Sequence, residues 1–218
     1  IMFGGADPTI PNSVPSDIEI RHNVFYKPPS WVGTAFDVKN HLEFKNAQRA
    51  WVKGNLFVNN WLASQSGFFF LITPRNQGGA APWCIVQDIT FELNKCVATG
   101  SGITIAGRDD AVGFETLITN RVMIRNNLIL ADGNNSSTGD GFQLSKGIKN
   151  LHIKHNTVIT SHWLSFTGAS ALDHEGFVCR DNVWYSANAT LFAWAGDSYA
   201  NPKQTLDAYF LNDYVFDY

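Results

Sequence analysis

The chain has 218 residues, which is long enough for one well-buried domain or two small ones. Hydrophobic residues make up 44% of it and charged residues only 16%, a composition that suits a β-rich globular protein and argues against disorder. The formal net charge of −3 gives no general attraction to nucleic acid, and no apolar run reaches the roughly 18 residues of a membrane span. We therefore expect neither a nucleic-acid partner nor a membrane span.

A repeated motif, apolar-x-apolar-x-x-Asn-x-apolar, runs through the chain. It is centred on six asparagines, Asn23, Asn55, Asn94, Asn127, Asn156 and Asn182. The residues five positions before them are Ile18, Ala50, Ile89, Val122, Leu151 and Phe177, and those three before are Ile20, Val52, Phe91, Ile124, Ile153 and Cys179. Those two after are Phe25, Phe57, Cys96, Ile129, Val158 and Trp184. This alternation predicts a strand with one buried face in every copy.

A second strand accompanies each copy of the motif. The six copies are Leu42-Glu43-Phe44, Gly67-Phe68-Phe69-Phe70, Gly102-Ile103-Thr104-Ile105, Gly141-Phe142-Gln143-Leu144, Leu164-Ser165-Phe166 and Phe192-Ala193-Trp194. We expect each motif asparagine at a sharp bend, because asparagine tolerates left-handed backbone and stacked copies can hydrogen-bond to one another. The pattern predicts an all-β fold, a right-handed parallel β-helix (solenoid) of about six coils with an asparagine ladder.

The asparagine bend, paired with Gly-apolar-x-apolar, resembles the right-handed β-helix proteins of the pectate-lyase superfamily. More narrowly, four segments resemble a largely uncharacterised group of secreted bacterial β-helix repeat proteins. They are Phe3-Gly4-Gly5-Ala6-Asp7-Pro8, Pro15-Ser16-Asp17-Ile18, Leu42-Glu43-Phe44-Lys45-Asn46-Ala47 and Leu71-Ile72-Thr73-Pro74-Arg75-Asn76-Gln77. The resemblance covers nearly the whole chain and implies the fold and a secreted, extracellular or periplasmic location. It supplies no catalytic residue. The tandem aspartates of polygalacturonases and the Arg-x-Pro-x-x-Arg of classical pectate lyases are absent from the sequence.

We expect a single β-helix domain over residues 1–218, with a C-terminal tail at 203–218 that holds a short helix. Ile1 starts inside a strand-like motif, and the run from Tyr214 to Tyr218 starts another apolar alternation. Because a β-helix must cover its terminal coils, we expect the natural polypeptide to extend beyond at least one of these ends.

Two outward-facing rows of side chains are predicted. The first consists of Arg21, Lys53, Glu92, Arg125, Lys154 and Arg180, which precede the motif asparagines by two positions. This row is either a track for an acidic polysaccharide or an ordinary solvated face. The second row consists of Glu43, Phe69, Thr104, Gln143, Ser165 and Ala193, on the second strand.

Charged residues suited to polysaccharide cleavage follow the second strand in successive coils. They are Lys45, Arg75, Arg108, Asp109, Asp110 and Lys146, and we expect the first three along one groove with an aspartate pointing into it. In a lyase, Arg75 or Lys45 would bind a uronate carboxylate, while Asp109 and Asp110 would hold Ca²⁺. In a hydrolase, Glu43 would work with Asp109 or Asp110. The alternative is that residues 108–110 form a polar turn with internal salt bridges.

Long insertions add two aromatic candidates for substrate binding. Trp31 and Trp61 could stack on sugar rings, or could instead close a hydrophobic cluster over the side of the solenoid.

The sequence thus predicts a carbohydrate-active protein that binds or cleaves an acidic polysaccharide, as a lyase, hydrolase or epimerase. The alternative is a non-catalytic structural or glycan-binding surface module, resembling an adhesin or a spike. We expect a monomer, whereas a flat apolar flank would favour a trimer.

Overall fold

The computed structural model describes residues 1–36, 39–109, 113–133, 137–162, 166–168, 173–187, 192–194, 197–199, 202–211 and 213–217. Within these ranges the fold is all-β, with strands stacked in three parallel sheets, and it is consistent with a parallel β-helix. The prediction of an all-β chain built from parallel sheets is confirmed.

The chain passes repeatedly through sheets A, B and C, and we call one such pass a coil. In chain order the strands are β1 (Met2–Phe3), β2 (Ser16–Arg21), β3 (Val24–Tyr26), β4 (Leu42–Phe44), β5 (Ala47–Lys53), β6 (Leu56–Asn60), β7 (Phe68–Ile72), β8 (Val86–Glu92), β9 (Lys95–Thr99), β10 (Ser101–Ala106), β11 (Asn120–Arg125), β12 (Leu128–Ala131), β13 (Phe142–Ser145), β14 (Lys149–Lys154), β15 (Thr157–Thr160), β16 (Phe166–Gly168), β17 (Val178–Arg180), β18 (Val183–Ser186), β19 (Phe192–Trp194), β20 (Asp197–Tyr199) and β21 (Val215–Phe216).

Apart from β20, which follows β19 in sheet A, each sheet collects one strand from each coil in sequence order. Sheet A runs β1-β4-β7-β10-β13-β16-β19-β20, sheet B runs β2-β5-β8-β11-β14-β17-β21, and sheet C contains β3, β6, β9, β12, β15 and β18. The pairings are parallel apart from β19 with β20. Strands β2 and β3 carry the first copy of the repeat motif, so the motif spans sheets B and C and the second predicted strand lies in sheet A.

The core consists of the side chains that the motif predicts to be buried. The residues three positions before the asparagines are at most 6% exposed. Those five before are at most 3% exposed, except for Ile18, which is half-buried in the first coil. Cys96 and Cys179 lie inside as predicted, and burial raises the pKa of both thiols. The predicted core is therefore confirmed.

The bend between sheets B and C contains two residues, such as His22 and Asn23, in every coil from β2 to β18. Its first residue has a left-handed backbone, with φ between 53° and 64°, at His22, Gly54, Leu93, Asn126, His155 and Asp181. The prediction that the motif asparagine itself takes this conformation is wrong. The preceding residue makes the turn instead, which leaves the asparagine side chain available for hydrogen bonds along the stack.

Hydrogen bonds join the six motif asparagines, which we call the asparagine column. Asn127 illustrates the pattern: its Nδ2 donates to Oδ1 of Asn156 (2.9 Å) and to the carbonyl of Phe91 (3.0 Å). Its Oδ1 accepts from the backbone N–H of Asn94 (2.9 Å). Side-chain bonds of the same kind connect Asn23 to Asn55, Asn55 to Asn94, Asn94 to Asn127 and Asn156 to Asn182.

The outer row predicted for sheet A is wrong at its second position. Glu43 pairs with Leu71, and Leu71 pairs with Thr104, whereas Phe69 is completely buried. The run of three phenylalanines before Leu71 gives no alternation from which the register could be read. Ser165 lies outside the described residues, and Thr167 occupies the position beside Gln143.

The C-terminal segment folds back onto the stack. Helix α1 (Pro202–Tyr209) begins one residue before the predicted tail, and Leu206 and Phe210 are buried in the core. Strand β21 then adds to sheet B beside β17. No helix in the described part of the chain is long and apolar enough to cross a membrane.

Candidate functional site

The basic row on sheet B is in register, as predicted, but most of its charges are paired. Glu92 lies within 2.7 Å of Arg125 and 3.6 Å of Lys53, and it accepts a hydrogen bond from Nε1 of Trp51. Burial alone raises the pKa of Glu92, but the hydrogen bonds from Trp51 and Arg125 and the nearby positive charges outweigh burial and lower it. Arg21 pairs with Glu19 in the same way. This pairing favours the solvated face over a continuous anion track.

Lys45 and Glu43 form a local ion pair at the outer surface of sheet A. The Nζ atom of Lys45 lies 2.6 Å from Oε2 of Glu43. The Glu43 side chain is only 4% exposed, and that of Lys45 is 16% exposed. Both predicted catalytic groups are therefore largely withdrawn from solvent and compensate each other's charge.

Arg75 and Asp109 form a second pair, between connections of successive coils. Their side chains meet at 2.8 Å, and the Asp109 side chain is completely buried. The other carboxylate oxygen of Asp109 accepts the backbone N–H of Asn76 at 2.6 Å. Its backbone N–H donates to Oγ1 of Thr116 at 3.1 Å. This geometry ties two connections together rather than presenting a carboxylate to a groove.

The predicted calcium site has little support from these contacts. Both oxygens of Asp109 already accept hydrogen bonds, and Asp110 lies outside the described residues. Among the residues that the structure describes, no group of three His, Cys, Asp or Glu side chains is placed to hold a metal ion.

Arg108 and Lys146 are placed differently from the other predicted cations. They follow β10 and β13, and the backbones of these two connections touch: a side chain at Gly107 would lie 2.2 Å from the carbonyl oxygen of Lys146. Arg108 is exposed and Lys146 half-exposed. Within the described ranges, the ion pairs include neither residue. Arg108 and Lys146 thus lie in neighbouring coils without an acidic partner among the described residues.

Trp31 and Trp61, both predicted from the insertions, line one surface pocket of about 540 Å³. The remaining lining residues are Val32, Gly33, Thr34, Phe36, Leu62 and Ala63. The pocket lies between the connections from sheet C to sheet A in the first two coils. We call it the aromatic pocket.

Local structure fixes the shape of the aromatic pocket. A short 3₁₀ helix, Pro29–Trp31, turns the first connection, and Oγ1 of Thr34 donates to the Trp31 carbonyl at 2.7 Å. The rings of Trp31 and Phe36 lie 5.2 Å apart, and these side chains are 38% and 60% exposed. Trp61 is only 4% exposed, so it forms part of the wall while Trp31 and Phe36 offer ring surface to solvent.

A histidine–aspartate pair in the connections from sheet C to sheet A was not predicted from the sequence. Nδ1 of His162 lies 3.0 Å from Oδ1 of Asp140, and Oδ2 of Asp140 accepts from Oγ1 of Thr138 at 2.7 Å. Asp140 is buried, whereas the His162 side chain is 35% exposed. Ser137, in the same connection as Asp140, accepts a hydrogen bond from the backbone N–H of Leu62 in the aromatic pocket. Neither residue belongs to the repeat motif, so no sequence signal brought them together.

No family model, curated protein or solved structure matches the chain significantly.

Proposed function

We propose that the chain is a right-handed parallel β-helix of about six coils with an asparagine ladder, related in fold to the pectate-lyase superfamily. We further propose that it is a secreted bacterial protein that binds an acidic polysaccharide. The observation that carries the proposal is the aromatic pocket, in which exposed Trp31 and Phe36 rings stand beside the Trp61 wall.

Aromatic rings in such a pocket suit carbohydrate. The face of an indole ring is negative, and the C–H groups on one face of a sugar ring are weakly positive, so the two stack while the sugar hydroxyls remain in water. The pocket is open and lies on connections rather than in the core, where a binding site can vary without disturbing the fold.

The acidic character of the proposed ligand follows from Arg108 and Lys146. A guanidinium group can form two parallel hydrogen bonds with a carboxylate, and a lysine ammonium adds a point charge. The aromatic pocket and these cations lie beyond opposite ends of the sheet A strands. A uronate chain that crosses this sheet would therefore meet stacking surface at one side and positive charge at the other.

The sequence suggested Glu43 and Asp109 as catalytic carboxylates, but both are buried and paired with cations. Binding is therefore favoured over cleavage by these two residues. A second candidate function, cleavage by a lyase mechanism, is favoured by the His162–Asp140 pair. A buried carboxylate that accepts a hydrogen bond from one imidazole nitrogen orients the ring, and the imidazole could then take the C5 proton of a uronate. The C4–O glycosidic bond would break as the C4–C5 double bond forms, and the departing oxygen would take a proton from water.

Calorimetric titration with uronate oligosaccharides and neutral glucan oligosaccharides tests the binding proposal. We expect the uronate to bind and Trp31→Ala to weaken it about 10-fold, which corresponds to the loss of roughly 1.4 kcal/mol of stacking. Arg108→Ala should weaken uronate binding but leave any binding of the neutral glucan unchanged. Trp51→Ala, which removes an indole from the outer face of sheet B, is the matched control and should retain affinity.

Failure of every uronate to bind, or equal losses for Trp31→Ala and Trp51→Ala, would contradict the proposal. The lyase candidate is tested separately by the absorbance of unsaturated ends. His162→Ala should abolish their release and preserve affinity, whereas unchanged release would remove the His162–Asp140 pair from the mechanism.

A further inference from the structure

The outer face of sheet C is almost entirely apolar, in contrast to those of sheets A and B. Two rows of side chains point outward from its six strands, and they are in register except between β9 and β12, where the pairing shifts after Ile129. The first row is Val24, Leu56, Lys95, Leu128, Thr157 and Val183, and the second is Tyr26, Val58, Val97, Leu130, Ile159 and Tyr185. We call these twelve residues the sheet C face. Lys95 is its one charged residue.

Several of these apolar side chains are strongly exposed. Val24 and Val183 are 67% and 63% exposed, and Tyr26 and Tyr185 are 55% and 62% exposed. Ile159 is 39% exposed. Single exposed apolar residues are ordinary on soluble proteins, but a continuous flat patch of them marks an interaction surface.

The size of the sheet C face suits a weak protein–protein interface. Six strands spaced about 4.8 Å apart, with about four residues each at roughly 3.3 Å, cover about 400 Å². Two such faces packed together would remove roughly 800 Å² or more from water, which is less than the roughly 1,200 Å² of a stable interface and suits a weak, transient pair. The expected affinity is correspondingly modest, with a Kd on the order of micromolar.

The partner that fits this face is a second copy of the same face. A ring of copies, such as a trimer, needs a second apolar surface to receive the first, because its contacts are heterologous. Sheet B instead carries the charged row around Glu92, and the outward side of sheet A carries the Glu43–Lys45 ion pair and the polar Gln143. With one apolar surface among the described strands, the available symmetric arrangement is a two-fold pair.

The arrangement of side chains on the sheet C face allows it to pack against a second copy of the same face. A valine and a tyrosine stand at both ends of the stack, Val24 with Tyr26 and Val183 with Tyr185, so either end can meet the other with the same chemistry. Lys95 is the first residue of β9, where its aliphatic stem can cover apolar surface while the ammonium group reaches water at the edge. The tyrosine hydroxyls lie on the end strands, where an interface is normally polar.

We propose that two copies of this chain associate through their sheet C faces in a two-fold dimer. The surface is separate from the aromatic pocket and from Arg108 and Lys146, so dimerisation goes beyond the proposed glycan binding and leaves those residues accessible.

Sedimentation velocity over a concentration series up to about 100 μM tests the dimer. We expect a monomer–dimer equilibrium in the wild type and a Kd at least about 30-fold weaker for Ile159→Glu, because two copies would bury the new carboxylates without partners. Met123→Glu places the same charge on the outer face of sheet B and is the matched control, which should associate like the wild type.

Tyr185→Glu, at a highly exposed position, gives a second test if Ile159→Glu lowers the melting temperature. A wild type that remains monomeric throughout the series would overturn the proposal, as would a trimer. Equal loss of association in Ile159→Glu and Met123→Glu would place the contact elsewhere and would overturn it as well.

Discussion

The two-residue bend between sheets B and C is constant from coil to coil, whereas the connections that flank sheet A vary in length. The bend has the same length and the same left-handed first residue in every coil from β2 to β18. The connections from sheet C to sheet A range from the single residue Gly100 to the long segment 27–41. The bends, which we call the repeated side of the molecule, therefore maintain the stack through repeated hydrogen bonds. The connections that flank sheet A, which we call the variable side, carry the candidate functional residues.

Asn127→Ala should produce the largest effect, because it removes an interior member of the repeated side. The substitution deletes bonds to Phe91, Asn94 and Asn156 and leaves buried partners unsatisfied. We expect the free energy of unfolding, measured in urea, to fall by about 3 kcal/mol. Asn23→Ala, at the exposed end of the asparagine column, should cost less than about 1 kcal/mol. Similar losses at both positions would show that the column does not stabilise the coils.

A pH titration of stability should show that a variable connection can also support the core. His174 lies between β16 and β17, is 2% exposed, and accepts the backbone N–H of Ile148 on Nδ1. Burial lowers its pKa from 6.5 to about 4. Between these values the unfolded chain binds more protons than the folded chain, so the stabilising effect of neutral His174 is complete above pH 6.5 and is lost as the pH falls toward 4.

We expect the wild type to lose about 2–3 kcal/mol more over this interval than His174→Gln, whose neutral amide takes up no proton in this pH range. His155→Gln changes an exposed histidine and serves as the control, with the pH dependence of the wild type. If His174→Gln also retains that dependence, the acid-sensitive group lies elsewhere.

Substitutions at the left-handed first residue of the bend should have the smallest effects on the stability of the fold. Gly54 and Leu93 variants should change it in opposite directions. Gly54→Ala forces a side chain into a backbone with φ of 64° and should destabilise the fold by about 1 kcal/mol. Leu93→Gly, at the same position one coil later, removes an exposed side chain from that conformation and should stabilise it by up to about 1 kcal/mol. Melting temperatures that move in the same direction for both variants would contradict this account of the bend.

The repeated side could be predicted from the sequence because each position recurs in the same chemical environment. The buried residues around Asn94 and Asn127 follow directly from the motif. The left-handed residue could not be identified by type, since His22, Gly54 and Leu93 share no side-chain chemistry. The residues one and three positions after the motif asparagines form the sheet C face. They are mostly apolar in the sequence, but the motif predicts a role only for the buried residue between them.

Contacts on the variable side were harder to predict, because they join residues that are not related by the sequence repeat. Trp31 and Trp61 were identified by their place in insertions, and they do line one pocket. The burial of Asp109 depends on Asn76 and Thr116, whose positions are set by two irregular connections. The His162–Asp140 pair depends on two further connections of unequal length.

The side-chain to side-chain hydrogen bonds of the asparagine column all run in one direction. Each side-chain nitrogen from Asn23 to Asn156 donates toward the later coil, and each receiving oxygen faces the earlier one. The amide dipoles therefore add along the solenoid axis instead of cancelling, as peptide dipoles do in an α-helix, and each bond polarises the next. The column itself therefore has an electrical polarity, negative at the end where Asn23 lies and positive at the end where Asn182 lies.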